Sequence, residues 1–229
     1  MEISKRLRAI ANLITVTQGI ADIGTDHGYL PIWLVENKKC ARAIAMDVNK
    51  GPLERAKHNI EKHHLQSVIE TRLSDGLGAL EIGEVQGIVI AGMGGGLTIR
   101  ILADNFAIVE QLEECILQPQ SEIDKVRQYL WEHHLHIVQE DMIEEDGKYY
   151  PMLRVVRGND KPYQKAEYLY GRCLIQDKNL VLKRYLQKEI QSKEQLLKEL
   201  TSNQSDNATK RLHVIAEELE CARGILEGM

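Results

Sequence analysis

The residues best equipped for chemistry lie close together in the stretch Ile20–Leu34, IADIGTDHGYLPIWL. Asp22, Gly24 and Gly28 are spaced as Asp-x-Gly-x-x-x-Gly, with Asp26 and His27 inside the turn and Tyr29 just after it. Glycines at such a turn let backbone N–H groups approach a ligand with no Cβ in the way. A helix that starts there turns its positive end to the same space. A loop that only redirects the chain has little use for a carboxylate and an imidazole side by side, so the stretch reads as a small-molecule site. Three more segments share this polar or glycine-rich character: Asp47 at the close of ARAIAMDVN, Ser74-Asp75-Gly76, and Gly92-Met93-Gly94-Gly95-Gly96. A carboxylate such as Asp47 can accept hydrogen bonds from both hydroxyls of a ribose, and Asp75 can accept one from an exocyclic amine.

Each of these segments ends an apolar run. Gly19–Asp22, Ala41–Asp47, Val68–Leu73 and Gly87–Ala91 read as strands, and helical patterns follow the first, second and fourth. Those helices are Leu30–Glu36, a helix with Pro52 in its first turn and Leu53, Ala56, Lys57 and Ile60 at i, i+3, i+4, i+7 spacing, and Leu97–Leu102. Cys115–Leu117 is a short fifth strand ending in Gln118-Pro119-Gln120. Ser121–His133 is the helix behind it, with Ser121 and Asp124 spaced as a capping box. Then Ile137–Glu144 and Tyr149–Val156 flank Glu145-Asp146-Gly147-Lys148, where Asp-Gly between β-favouring runs marks a hairpin. The fold class expected is α/β: a mostly parallel sheet closed by an antiparallel hairpin. Ligands of such sheets bind beyond the carboxyl ends of the strands, near the point where strand order reverses. All four segments therefore fall on one rim.

Residues 1–158 form the expected sheet domain, and 1–17 are its N-terminal helix, with Leu7, Ile10, Leu13 and Ile14 at helical spacing beside the basic residues Lys5, Arg6 and Arg8. Gly158–Pro162 marks the boundary. Residues 159–229 carry two apolar stripes, Leu182, Leu186, Ile190, Leu197, Leu200 and Leu212, Ile215, Leu219, Ala222, Leu226, parted by the polar turn Thr201–Thr209. Stripes this narrow predict an antiparallel helical hairpin of coiled-coil character, an arm for substrate or self-association.

The net charge of −5 argues against a surface coated with nucleic-acid contacts, but it is uneven: −6 over residues 1–158 and +1 over 159–229. Nucleic acid would need a local patch, and Lys5, Arg6 and Arg8 supply one. There is no long apolar run and no signal-peptide core, so a soluble cytoplasmic protein is expected, with no membrane partner. Four scattered cysteines predict free thiols. His63-His64 and His133-His134 fall near helix ends and predict no metal. The absence of GxSxG, Walker A and HExxH motifs removes the usual serine hydrolases, P-loop enzymes and zincins, and the first turn is not the GxGxxG of nicotinamide dehydrogenases.

The first turn, Asp47 and Ser74-Asp75-Gly76 together resemble the Rossmann-like S-adenosylmethionine methyltransferases. More narrowly SKRL, DIGTDHGYLP, SDGLGAL, IAGMGGGL, LQPQ and EEDGKYY, in that order over residues 3–157, resemble the bacterial family that methylates N1 of adenine 22 in tRNA. The resemblance implies S-adenosyl-L-methionine as cofactor, bound by Asp22, Gly24, Gly28, Asp47, Val48, Ser74, Asp75, Gly76, Ala91, Gly92 and Met93. It implies tRNA as substrate, met by Lys5, Arg6, Arg8, Gly94 and Gly95. The catalytic candidate is Asp26, with His27 or Tyr29 orienting it. Asp26 either balances the charge on the methylated ring or holds the ammonium group of the cofactor. The usual middle glycine of the first motif is Asp26 here, and the Asn/Asp-Pro-Pro-Tyr/Phe motif of amino-group methyltransferases is replaced by Gly92–Gly96. A monomer is the expected state. The alternatives are a methyltransferase for another RNA, a protein or a small molecule, and a non-catalytic adaptor that dimerises through the arm.

Overall fold

Seven strands form one sheet in the computed structural model of the chain, which describes residues 1–201 and 206–229. At its centre is β1 (Gly19–Ile23), buried along its whole length. It pairs in parallel with β2 (Arg42–Asp47) on one side and β4 (Gly87–Met93) on the other, so that Asp22 stands in register with Ala45 and Val89. Outside β2 lies β3 (Ile69–Leu73), parallel, and outside β4 lies β5 (Glu114–Pro119), also parallel. The hairpin closes that side: β7 (Lys148–Arg157) is antiparallel to both β5 and the outermost strand β6 (Leu135–Glu145). The order is β3-β2-β1-β4-β5-β7-β6, which reverses between β1 and β4.

The inner strands are apolar on both faces because helices cover both. These are α1 (Lys5–Leu13), α2 (Tyr29–Glu36), α3 (Lys50–Lys62), α4 (Gly95–Asp104), the short α5 (Phe106–Val109) and α6 (Ile123–Glu132). Ile10 and Leu13 of α1 and Leu30, Ile32 and Leu34 of α2 pack into one core with Ile20, Ala45, Val89 and Ile116 of the strands. Helix α1 starts where Ser4 Oγ accepts the Leu7 N–H at 3.2 Å. It ends at Leu13, and the chain after it is clamped to β5 by Glu114. That buried carboxylate accepts from the Thr15 and Val16 amides (2.7 and 3.1 Å), the Thr15 hydroxyl (2.6 Å) and Arg154 Nε (2.8 Å). Burial pushes its pKa up, but Arg154, Thr15 and the two amides outweigh burial and hold it below the usual carboxylate value.

Two local expectations are corrected. Helix α6 begins at Ile123 and no Ser121–Asp124 capping box forms, since Glu122 takes a left-handed conformation (φ 50°) with no side-chain cap. Helix α4 begins at Gly95, two residues before the first apolar position of its pattern.

The chain divides between Lys161 and Pro162. The second unit holds α7 (Lys165–Tyr170), α8 (Arg172–Gln176), α9 (Leu180–Thr201) and α10 (Asp206–Gly228). The long helices pack through Leu182, Leu186, Ile215, Leu219 and Ala222, with Ile225 buried in place of the expected Leu226. Lys193 joins them, 2.9 Å from both Glu189 and Glu218. Of the polar turn expected at Thr201–Thr209, Thr201 closes α9 and Asp206–Thr209 open α10, so the turn is shorter than expected; residues 202–205 and the side chain of Leu200 lie outside the described residues. Helices α7 and α8 were not anticipated. At α7, Gln164 and Glu167 form a reciprocal cap, and Gly171 (φ 93°) separates the two helices.

Candidate functional site

The carboxyl ends of β1 to β4 meet at a cavity of about 290 Å³ at the point of strand-order reversal. Of the expected cofactor residues, Gly24, Asp47, Val48, Ser74, Asp75, Gly76, Ala91, Gly92 and Met93 line it. Asp22 and Gly28 do not. Leu97, Arg100 and Ile101 of α4 line it too, and nothing in the sequence pattern singled them out.

The turn after β1 is bent towards β2, because the Gly24 and Thr25 amides both donate to Met46 O (2.8 and 2.9 Å). Gly24 has φ +79°, and a Cβ there would lie 2.4 Å from Met93 Cε. Only glycine leaves this wall of the cavity open without displacing Met93. Beneath the turn, the Asp22 side chain is buried, and burial raises its pKa to about 6. The Thr25 hydroxyl and the Arg6 guanidinium offset part of that rise, while Asp47 adds to it. Thr25 Oγ1 is itself buried and has no partner at hydrogen-bonding geometry.

Asp47 is nearly buried, and its Oδ1 accepts the Asn49 N–H at 2.8 Å, leaving Oδ2 without a hydrogen-bond partner among the described residues. Ser74 is committed to its own turn, donating to Gly76 O (3.0 Å) and accepting from Ala79 N (3.1 Å). Asp75 is exposed and accepts from Arg100 Nη2 at 3.2 Å. Val48 and Leu97, both exposed apolar side chains, stand on the cavity lining, where they can cover a planar ring.

Asp26, His27 and Tyr29 are brought together outside the cavity lining. Asp26 (φ 46°) is exposed; its Oδ1 accepts from Arg55 Nη2 at 2.7 Å, and its Oδ2 lies 3.6 Å from His27 Nε2. The His27 and Tyr29 rings stack, with centroids 5.1 Å apart and planes 7° from parallel. Arg55 is the member that sequence reasoning missed. Its signal was indirect: α3 starts from the Asp47 turn and so runs beside the first turn.

A family model described as tRNA (adenine(22)-N(1))-methyltransferase matches residues 20–223. The chain belongs to this family. The Bacillus subtilis tRNA (adenine(22)-N(1))-methyltransferase is 33% identical over 233 residues, 99% of this chain and 98% of the relative. Among solved structures, Streptococcus pneumoniae Sp1610 in complex with S-adenosyl-L-methionine superposes with a TM-score of 0.87 at 36% identity, covering 98% of this chain and 100% of the other. M. capricolum TrmK in complex with S-adenosyl-homocysteine superposes with a TM-score of 0.86 at 29% identity, covering 100% of this chain and 99% of the other. The sheet order described above is thus the Rossmann-like order of the adenine-22 methyltransferases.

The residues expected to meet tRNA differ in exposure and in what they pack against. Lys5 and Arg8 are exposed, whereas Arg6 is half-buried and turned to the sheet, with Nη1 2.9 Å from Gln118 Oε1. Gly95 is buried, and a Cβ on it would lie 2.4 Å from Ser121 O, so this glycine is required by the packing of α4 on the chain before α6. Gly94 faces Ser121 Oγ in the same contact. A second cavity, of about 690 Å³, lies within the helical unit and is lined by α7 and α10, including the ion-paired Lys165 and Glu217. Among the described residues no group of His, Cys, Asp and Glu could hold a metal, and no helix is long and apolar enough to cross a membrane. His63 and His133 cap the carboxyl ends of α3 and α6.

Proposed function

We infer that the protein transfers a methyl group from S-adenosylmethionine to N1 of adenine 22 in tRNA, at the rim of β1 to β4. One observation carries the reading: in a chain of this family, turns from four separate strand ends line a single cavity at the strand-order reversal. The residues present fit the cofactor. Asp47 has a carboxylate oxygen to offer ribose hydroxyls, Val48 and Leu97 offer apolar cover for adenine, and Asp75 can accept its exocyclic amine. Gly24, Gly28 and Gly92 keep the turns slim, and Ala91 and Met93 complete the wall.

Bound there, the cofactor supplies an electrophilic methyl group on a sulfonium. The protein's task is then alignment and charge compensation. Adenine N1 carries its own lone pair, so no base has to remove a proton before attack. The product ring is cationic. Asp26, exposed and beside the cavity rather than in its wall, is placed to balance that charge, with Arg55 and His27 fixing its carboxylate from either side. The stacked His27 and Tyr29 offer a ledge for the base. N1 lies on the Watson–Crick edge, so adenine 22 has to be unpaired when it enters. Lys5 and Arg8 are free to contact backbone phosphates. A single chain holds every residue of this scheme, so a monomer suffices.

The test is incorporation of labelled methyl from S-adenosylmethionine into unmodified bacterial tRNA, followed by nucleoside analysis. N1-methyladenosine is the expected product. Label in another nucleoside, or none, overturns the assignment.

A further inference from the structure

Gln120 is the first residue beyond β5, and it carries an unused amide to the edge of the cavity. Its backbone is pinned. Pro119 precedes it with a ring-fixed φ, and its N–H donates to Met93 O at 2.8 Å. Its side chain is exposed and makes no hydrogen bond among the described residues. Nε2 would lie 3.7 Å from a Cβ on Gly92, the residue that steps out of register between Ala91 and Met93. Gly92 lines the cavity and Gln120 does not, so Gly92 is the boundary between the two. With φ +80° and no side chain, it leaves bare backbone beside the amide. The other amides of the rim are placed differently. Gln118 is buried, accepting from Arg6 Nη1 (2.9 Å) and donating to Pro119 O (3.3 Å). Asn49 lines the cavity next to Asp47, on the side of β2.

Methyl transfer dictates which edge of adenine such a group can read. The N1 lone pair forms the new bond to the methyl carbon while the C–S bond breaks and its electrons pass to sulfur, leaving the ring cationic. N1 is therefore not free to accept a hydrogen bond. That excludes an amide paired with N1 and N6, although its donor and acceptor would match. The edge that remains is N6–H beside N7, a donor next to an acceptor, and an amide meets it with both of its ends. Guanine presents two acceptors there, O6 and N7, so the carbonyl end of the amide would face an acceptor. We propose that Gln120 reads the N6/N7 edge of adenine 22 and selects it against guanine, Oε1 accepting from N6 and Nε2 donating to N7. The inference rests on the adenine-22 reading above.

The test uses two tRNAs, with adenosine or 7-deazaadenosine at position 22. The second keeps N1 and N6 and has carbon in place of N7. For each, kcat/KM of methyl transfer is measured with the full-length wild type, Gln120→Ala and Gln120→Glu, and S-adenosylhomocysteine binding is measured by calorimetry. Gln120→Ala is expected to lower kcat/KM on the adenosine tRNA by roughly 5- to 100-fold, the range of a two-ended amide contact, with S-adenosylhomocysteine affinity within about 2-fold. The preference for adenosine over 7-deazaadenosine is expected to be roughly 3- to 10-fold larger in the wild type than in Gln120→Ala, as for one neutral hydrogen bond. Any effect of the ring carbon on N1 reactivity is common to both enzymes and cancels in that ratio. Gln120→Glu has no donor for N7 and is expected to show the same reduced preference; it carries the comparison if Gln120→Ala alone loses S-adenosylhomocysteine. Equal preference in wild type and variants overturns the proposal, even where kcat/KM falls, and assigns the amide to a phosphate or a ribose. Weakened S-adenosylhomocysteine in both variants overturns it too, and assigns Gln120 to the cofactor. Absence of N1-methyladenosine when the wild type meets the adenosine tRNA overturns the adenine-22 reading and this inference with it.

Discussion

Replacing Asp22 by asparagine separates what the buried acid does for function from what it does to stability. Its pKa rises from the ordinary 3.8 to about 6, mainly because burial penalises the charged form. The sign is opposite to that of a salt-bridged carboxylate: the folded state binds the proton more tightly than the unfolded one. The ionisation cost is therefore absent below about pH 3.8, grows up to about pH 6, and is fully present above it. A span of about 2 pH units at about 1.36 kcal/mol each makes that cost about 3 kcal/mol. Asp22→Asn keeps the shape and removes the charge, so the ligand-free variant is expected to be more stable than wild type at neutral pH. At about 2–4 °C per kcal/mol for a chain of this size, the gain in Tm is roughly 6–12 °C. Urea melts of both proteins at intervals from pH 4 to pH 8 are the assay, read as the difference between them so that other titrating groups cancel. The difference is expected to open between pH 4 and about 6 and then stay level, while S-adenosylhomocysteine affinity falls. A stability difference that is flat over the whole range would refute the burial argument.

Glu114→Gln is expected to cost about 1–3 kcal/mol, because the clamp loses its charged acceptor for Arg154 and Thr15. Since the pKa of Glu114 is lowered in the fold, its contribution is complete above its ordinary 4.5 and is lost as pH falls through the lowered value. Acid unfolding should accordingly be shallower in the variant, which circular dichroism against pH reads directly. Arg127→Met leaves Glu140 buried without its cation, now 2.8 Å away, and should cost about 3–5 kcal/mol in denaturant melts. Adding Glu140→Met should restore much of it, and a double variant weaker than the single one would contradict that. Asp26→Ala is expected to abolish methyl transfer with S-adenosylhomocysteine affinity unchanged. Lost affinity would assign Asp26 to the cofactor instead.

The alternation of strand and helix was legible because each strand end carries its own polar turn, and the hairpin because Asp146-Gly147 sits between two β-favouring runs. Helices α5, α7 and α8 were not, since four to six residues show no helical period. The Ser121–Asp124 spacing misled because the left-handed Glu122 starts α6 instead, while Ser121 lies against Gly95, a contact between distant segments that spacing does not encode. At the rim the sequence named most of the cavity wall through its turns, but Leu97, Arg100 and Ile101 came from the far side of a helix whose residues look like ordinary surface and core. Arg6 is the clearest case. By type it matched Lys5 and Arg8, and only the crossing of α1 over the sheet turns it towards Gln118.

The central claim is that one base of tRNA is the acceptor. The most direct measurement compares label transfer from S-adenosylmethionine to two tRNA transcripts that differ only at position 22, adenine in one and guanine in the other. Transfer to the adenine transcript alone, recovered as N1-methyladenosine, is the predicted result. Equal labelling of both transcripts would contradict it.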